Sequence, residues 1–280
     1  MTTFTEAAES AEAWQVQPRA LIVTIYGLYA REAGGWLSVA ALIRLMAELG
    51  VDEAAVRSSI SRLKQRGILE PRRQDGAAGY ALSGLGRDIL AEGDQRIFDR
   101  PRARSADGWV LAVFSVPEAE RRRRHALRSR LAWLGFGTVS AGVWIAPGHL
   151  AGETAGVLER AGLSGYVSLF RAEYLAFGDV REQVGQWWDT GRLQALYQAF
   201  LDAAEPVLAR WDADGAAGGE AFADYVRAFT AWRRLPFLDP GLPAELLPDG
   251  WNGLRADAAF AALRDRLAGP ARAHVLAVSR

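Results

Sequence analysis

Apolar side chains crowd the first clear segment of the chain. Leu21, Ile22, Val23, Ile25, Tyr26, Leu28 and Tyr29 fall so densely within 18–31 that they surround a helix, which predicts a buried first helix. Gly34-Gly35 interrupts it, Trp36-Leu37 reads as a short extended piece, and Ser38 is placed to cap a second helix that runs to Leu49 and is closed by Gly50. Asp52 caps a third helix running to about Arg66 and closed by Gly67. Ile68 to Arg73 and Gly79 to Leu82, joined by a turn at Asp75-Gly76, predict a two-stranded hairpin, and Ser83 caps a helix toward Phe98. Helix, helix, tight turn, helix and hairpin is the layout of a winged helix-turn-helix module over 18–98.

The pattern changes after a polar stretch at 99–107, whose Arg100-Pro101-Arg102-Ala103-Arg104-Ser105 reads as a solvated linker. Trp109 to Phe114 is a short apolar run suited to a buried strand, and Pro117 to Leu134 is helical with Leu127, Leu131 and Leu134 on one face. Strands at Gly137 to Ser140 and Val143 to Ile145, a helix over Leu150 to Ala161 and a strand from Tyr166 to Phe170 complete the order βαββαβ. That order predicts a ferredoxin-like domain over 108–175. From Val180 the pattern is helical to the end, predicting a C-terminal helical domain over 180–280, broken by a Gly-rich stretch at 215–219 and a turn-rich one at 235–243. The expected fold class is α+β, preceded by a loosely ordered acidic tail over 1–17.

Composition removes much chemistry. The chain of 280 residues has no cysteine, so it has no disulfide framework, thiolate zinc site or cysteine nucleophile. Its single lysine, Lys64, lies in no phosphate-binding glycine loop, and His125, His149 and His274 lack metal-ligand spacing. No apolar run is long enough to cross a bilayer, which predicts a soluble cytoplasmic protein.

The 33 basic and 33 acidic side chains give zero net charge, which seems to argue against an acidic partner. Their distribution reverses that. Residues 18–135 are net basic, while the first 17 residues and everything after 135 are net acidic. Such asymmetry raises the expectation of a polyanion at one end only.

On a helical wheel the third helix buries Val56, Ile60 and Leu63. The opposite face shows Ala54, Ser58, Ser61 and Gln65, flanked by Arg57, Arg62 and Lys64. Small residues let a helix approach the major groove, and hydrogen-bonding or bidentate groups reach base edges. The base-reading candidates are therefore Arg57, Ser58, Ser61, Arg62 and Gln65. Lys64, with Arg72 and Arg73 in the hairpin, is placed for phosphates. A merely solvated face would mix signs, and the stretch from Arg57 to Arg73 holds one acid, Glu70.

A second basic run, Arg121 to Arg124 with His125, sits where the helix macrodipole disfavours positive charge. It reads either as an ion-paired face or as a contact for effector phosphates or for the DNA backbone. The aromatic residues Trp187, Trp188, Tyr197, Phe200, Trp211, Phe222, Tyr225, Phe229 and Trp232 fall at helical spacing and read first as core.

These pieces together resemble the PaaX-type repressors of phenylacetate degradation. The matching segments are Leu21 to Tyr29 with Gly27, Val56 to Lys64, Phe114 to Glu118, Leu131 to Gly137, Gly142 to Pro147, Trp187-Trp188 and Leu242 to Pro248. The resemblance implies a homodimeric bacterial repressor whose winged helices address a pseudo-palindromic double-stranded operator. It implies a middle domain similar to a CRISPR-associated endonuclease, and release from DNA by an aryl-coenzyme A thioester such as phenylacetyl-CoA. Such an effector is expected between the middle and C-terminal domains, with Arg123, Arg124, Trp187, Trp188 and Arg233 as its contacts. No cofactor, metal ligand or catalytic residue is expected. A nuclease of that shape needs an acid at the end of its first strand, where this chain has Ser115, and Asp107 lies at the wrong end. A winged-helix adaptor that binds only protein is the other alternative; it predicts no salt-dependent DNA affinity.

Overall fold

The computed structural model describes residues 17–98, 102–175, 177–213 and 218–279. The acidic tail before Gln17, Arg100 and Pro101 of the expected linker, and 215–217 of the Gly-rich stretch lie outside the described residues. The fold is α+β, with two small antiparallel sheets and a helical C-terminal part. The described chain divides into two compact units, one holding 17–98, 198–233 and 253–279, the other 102–197 and 234–252.

In the first unit α1 (Pro18–Ile25) starts on a proline whose missing N–H is no loss in a first turn. The helical path continues through a π turn at Tyr26–Ala30 and a 3-10 turn at Arg31–Ala33, ending at Gly34 with φ 83°. Strand β1 (Trp36–Ser38) leads into α2 (Val39–Glu48), where Ser38 Oγ accepts from the Ala41 N–H at 3.0 Å. Asp52 caps α3 (Glu53–Gln65) in the same way, Oδ1 accepting from the Ala55 N–H at 2.8 Å. Strands β2 (Leu69–Gln74) and β3 (Ala77–Leu82) form a hairpin over Asp75 and Gly76, both at positive φ as a tight two-residue turn requires. The sheet order is β1-β3-β2. Ser83 Oγ then accepts from the Gly86 N–H at the start of α4 (Gly84–Phe98).

In the second unit β4 (Trp109–Phe114) is followed by a 3-10 turn at Glu118–Glu120 and α5 (Arg121–Trp133), whose Leu127 and Leu131 are wholly buried. Strands β5 (Gly137–Ser140) and β6 (Val143–Pro147), α6 (Ala151–Arg160) and β7 (Val167–Ala172) follow. The antiparallel sheet runs β5-β6-β4-β7, with Val110, Ala112, Phe114, Trp144 and Ala146 facing Leu127, Leu131 and Leu158 of the helices. The short helix α7 (Val180–Trp187) packs by β5. Residues 102–107 are not the free solvated linker the sequence suggests. Ala103 is buried and its N–H donates to the Gly241 carbonyl at 2.9 Å, while Ser105 bonds Glu245, so this segment is tied to the turn-rich stretch.

The stretch expected to form one helical domain contributes to both units. Of α8 (Thr190–Ala213), the part from Gln198 on belongs with α9 (Gly218–Trp232) and α11 (Asn252–Ser279) to the unit of α1–α4, whereas α10 (Leu235–Leu238) belongs to the other. Most aromatic positions of these helices are core, as their spacing predicts: Phe200, Phe222, Tyr225, Phe229 and Trp232 are buried, whereas Trp211 is half-buried and its indole N–H donates to Asp224 at 2.9 Å. Trp232 stacks on Phe260 at 4.8 Å, and the Thr230 and Thr24 hydroxyls are 2.8 Å apart between α9 and α1. The end of α11 adds Arg272–Glu32 at 2.8 Å, His274 Nε2 at 2.7 Å from Glu48, and a bond from Arg44 to the Val278 carbonyl at 2.6 Å.

Three buried tyrosines in this unit give it an alkaline limit. Burial holds the Tyr26 and Tyr29 hydroxyls well above the ordinary phenol range, and pushes Tyr225 up to about 12. Tyr26 also donates to the Tyr80 carbonyl at 2.9 Å. The folded state keeps these groups protonated while the unfolded chain ionises near pH ~10, so their contribution is complete below that pH and lost above it. Urea midpoints should be flat from neutral pH to about 9 and fall steeply by pH 11, with about 1.4 kcal/mol lost per tyrosine there. Tyr26→Phe should be less steep; an identical slope would show that Tyr26 ionises freely in the fold.

Candidate nucleic-acid interface

Helix α3 is fixed in rotation by Val56, Ile60 and Leu63, at most 3% exposed, with Ser59 also turned inward at 8%. Arg57, Ser58, Ser61, Arg62, Lys64 and Gln65 are all exposed, so the structure places every base-reading candidate and Lys64 on the solvent side of one helix. The caps at Asp52 and Gly67 (φ 71°) set where that face starts and stops.

The electrostatics distinguish among these residues. Arg57 is held by Glu53 one turn earlier, at 2.6–2.7 Å through two nitrogens. An exposed pair of this kind contributes less than about 1 kcal/mol, so a phosphate or base edge can displace it. Arg62 and Lys64 have no ion-pair partner among the described residues. The i, i+4 spacing of Glu53 and Arg57 is the signal for this pair in the sequence.

The hairpin carries the remaining pair. Both Arg72 and Arg73 are exposed on β2. The Arg73 guanidinium donates to the Gly76 carbonyl at 3.2 Å, holding it against the turn, while the Arg72 carbonyl accepts from the Trp36 indole N–H at 3.0 Å. Trp36 went unnoticed in the sequence as a functional support. It lies over Gly79, the cross-strand partner of Arg72, and a glycine inside a strand was the available signal.

The five effector candidates are divided between the two units. Arg233 belongs to the first unit, where it lies 3.4 Å from the Ala20 carbonyl. In the second unit Arg123 pairs with Glu120 at 3.0 Å and lies over the Tyr166 ring, and Arg124 pairs with Glu118 at 2.8 Å and donates to the Val116 carbonyl. These arginines stand at the start of α5. Trp188 is buried at its other end, where the indole N–H donates to the Gly135 carbonyl at 2.9 Å; Trp187 packs on Trp109 and Tyr174. The length of α5, about 18 Å at 1.5 Å per residue, separates the two pairs.

At the end of β4, Phe114 is followed by Ser115, and Asp107 before the strand accepts from the Arg104 backbone N–H, which holds its carboxyl below the usual range. Among the described residues no group of three His, Asp or Glu is placed to hold a metal, and no helix is long and apolar enough to cross a membrane.

Three family models match the chain in succession: PaaX-like protein over 17–86, the PaaX protein central Cas2-like domain over 102–184, and the PaaX-like protein C-terminal domain over 188–277. The transcriptional repressor PaaX of Escherichia coli K12 is 27% identical over 258 residues, covering 90% of this chain and 80% of that protein. Among solved structures, an uncharacterised protein from Mycobacterium tuberculosis is similar over 88% of this chain and 99% of its own, with a TM-score of 0.52 and 25% identity.

The hairpin's geometry is sensitive at Gly79. A Cβ there would lie 2.4 Å from the Leu37 carbonyl oxygen and 2.5 Å from the Trp36 ring. Gly79→Ala should therefore lower stability by about 1–3 kcal/mol, read as a drop in the urea midpoint. Gly84→Ala, which meets nothing within 4 Å, should not. Equal midpoints for the two variants would show that β1 and the hairpin are not held together as described.

Proposed function

The chain belongs to the PaaX family, and on that premise we propose that it is a DNA-binding transcriptional repressor whose residues 18–98 form a winged helix-turn-helix. In this reading α3 is the recognition helix and the β2–β3 hairpin the wing. The unit built on β5-β6-β4-β7 is the ferredoxin-like middle domain, since strand order 2-3-1-4 in a βαββαβ chain is the order of that fold. The relative from Escherichia coli is a repressor, and the role proposed here is regulatory, not enzymatic.

One observation carries the reading. A doubly capped helix, locked by a buried apolar face, projects Ser58, Ser61, Arg62, Lys64 and Gln65 together into solvent beside an exposed arginine-bearing hairpin. Serine hydroxyls and the Gln65 amide match base edges at short range, Arg62 can grip a guanine bidentately, and Lys64, Arg72 and Arg73 suit phosphates. A homodimer would present two such helices to inverted half-sites of a cytoplasmic, pseudo-palindromic operator.

The effector rests on the family resemblance. An aryl-CoA thioester of the phenylacetyl-CoA type would release the protein by preferring a dimer geometry that no longer matches the half-site spacing; equal affinity for both states would shift nothing. Arg123 and Arg124 are the residues suited to coenzyme phosphates, at the cost of their pairs with Glu120 and Glu118.

A mobility shift on the DNA upstream of the chain's own gene tests both levels. Binding should weaken with salt at a log–log slope near −5 if about six phosphates are contacted, and phenylacetyl-CoA should release the DNA. Arg62→Ala should cost about 1–3 kcal/mol and relax specificity at one base pair per half-site. Salt-independent or absent binding would overturn the repressor reading; binding that ignores every acyl-CoA tested would overturn the effector alone.

A further inference from the structure

We infer that the outer face of α5 is a second, sequence-independent binding surface for duplex DNA, contacting phosphates through Arg121, Arg122 and Arg128. The inference rests on the repressor reading and extends it to a helix outside the winged module.

Helix α5 holds six arginines and no acid over Arg121–Trp133. Four of them occupy its first turn, where the unsatisfied N–H groups already make the helix end positive. The two acids that precede it are both committed: Glu120 pairs with Arg123 and Glu118 with Arg124. Arg121 and Arg122 are exposed and have no ion-pair partner among the described residues. Local compensation thus stops at half of the run, and the uncompensated half faces water.

Arg121, His125 and Arg128 lie at i, i+4 and i+7 and are all exposed, with Arg122 beside them and Arg128 at the edge nearest the sheet. The Arg128 guanidinium carbon lies over the Trp144 ring, 5.9 Å from its centroid, a contact that restrains a long side chain without neutralising it. Two turns of helix put Arg121 and Arg128 about 10 Å apart. Neighbouring α6 carries Glu153 and Glu159 against Arg160, a single net negative charge beside the six arginines of α5.

The partner follows from what this surface lacks. No Phe, Tyr or Trp side chain is exposed along it, so unpaired bases lack the large rings on which they stack best. No apolar residue larger than Ala132 is exposed on it, so it has nothing to insert into a membrane. Exposed, unpaired cations without large stacking rings or insertion groups fit the regular phosphates of a duplex. Arg123 and Arg124, with their own carboxylates, are not part of this surface.

The test compares the full chain with the triple variant Arg121→Gln, Arg122→Gln, Arg128→Gln. Each is titrated with a labelled duplex from the DNA upstream of its gene and with a scrambled duplex of equal length, between about 50 and 200 mM salt. The triple variant should show a log–log slope shallower by about 2–3 per bound protomer, with an unchanged preference for the upstream duplex. A variant with lysine at the same three positions should restore the slope, and all forms should melt alike. An unchanged slope in the triple variant, while Arg62→Ala weakens binding, would overturn the inference and leave the repressor reading standing. Tighter binding of single-stranded RNA than duplex, lost in the triple variant, would overturn it in favour of an RNA surface. Failure of the unmodified chain to bind either duplex would remove the repressor reading and this inference with it.

Discussion

Val56, Ile60 and Leu63 leave α3 no freedom to rotate about its axis. Each side chain gains about 1.5–3 kcal/mol by leaving water, so turning the helix to hide its charges would forfeit several times what any surface ion pair could return. The basic face is therefore a consequence of burial on the other side. Its length is set separately, by Asp52 at one end and Gly67 at the other. The same hierarchy explains the Glu53–Arg57 pair, which is weak enough to yield to a ligand because nothing else in the helix depends on it.

The core that receives α3 is not made by residues 17–98 alone. Tyr29 packs on Phe222, Phe98 on Phe229, and Trp232 of α9 stacks on Phe260 of α11, so the first and last thirds of the chain close one apolar interior. The pairs at the end of α11, Arg272–Glu32 and His274–Glu48, are half-exposed and individually worth little; their role is to fix orientation once burial has supplied the energy. Glu48 ends α2, immediately before the turn into α3, so the C-terminal helix is anchored beside the element that aims the basic face.

Local rules made most of this legible in the sequence. Ser38 and Asp52 each have a short side chain that can reach a first-turn N–H, and Asp75-Gly76 is the pair a tight hairpin turn demands; all three behave as their chemistry dictates. Long-range outcomes were not legible. Helical periodicity shows that α9 and α11 have an apolar face without showing what it covers, which is why one expected domain contributes to two units. The π turn at Tyr26–Ala30 is equally invisible, because an unbroken apolar run reads the same whichever ring size its backbone closes. Ala103 looked solvated for a related reason: its partner, the Gly241 carbonyl, lies more than a hundred residues away.

Net charge is the coarsest of these quantities, and what matters is which charges are already spent. Arg31 is gripped by Asp94 through two bonds, Arg124 by Glu118 and the Val116 carbonyl, and Arg181 by Asp249 and the Leu247 carbonyl. Each of these bases is part of the architecture, and a polyanion would have to break the fold's own bonds to recruit it. Arg62, Lys64, Arg121 and Arg122 have no such commitments among the described residues. A chain can therefore be neutral in sum and still bind an acid strongly. The nearest acids are themselves taken up by other arginines, Glu120 by Arg123, Glu118 by Arg124 and Glu53 by Arg57, so the cations that remain unpaired keep their charge for a ligand.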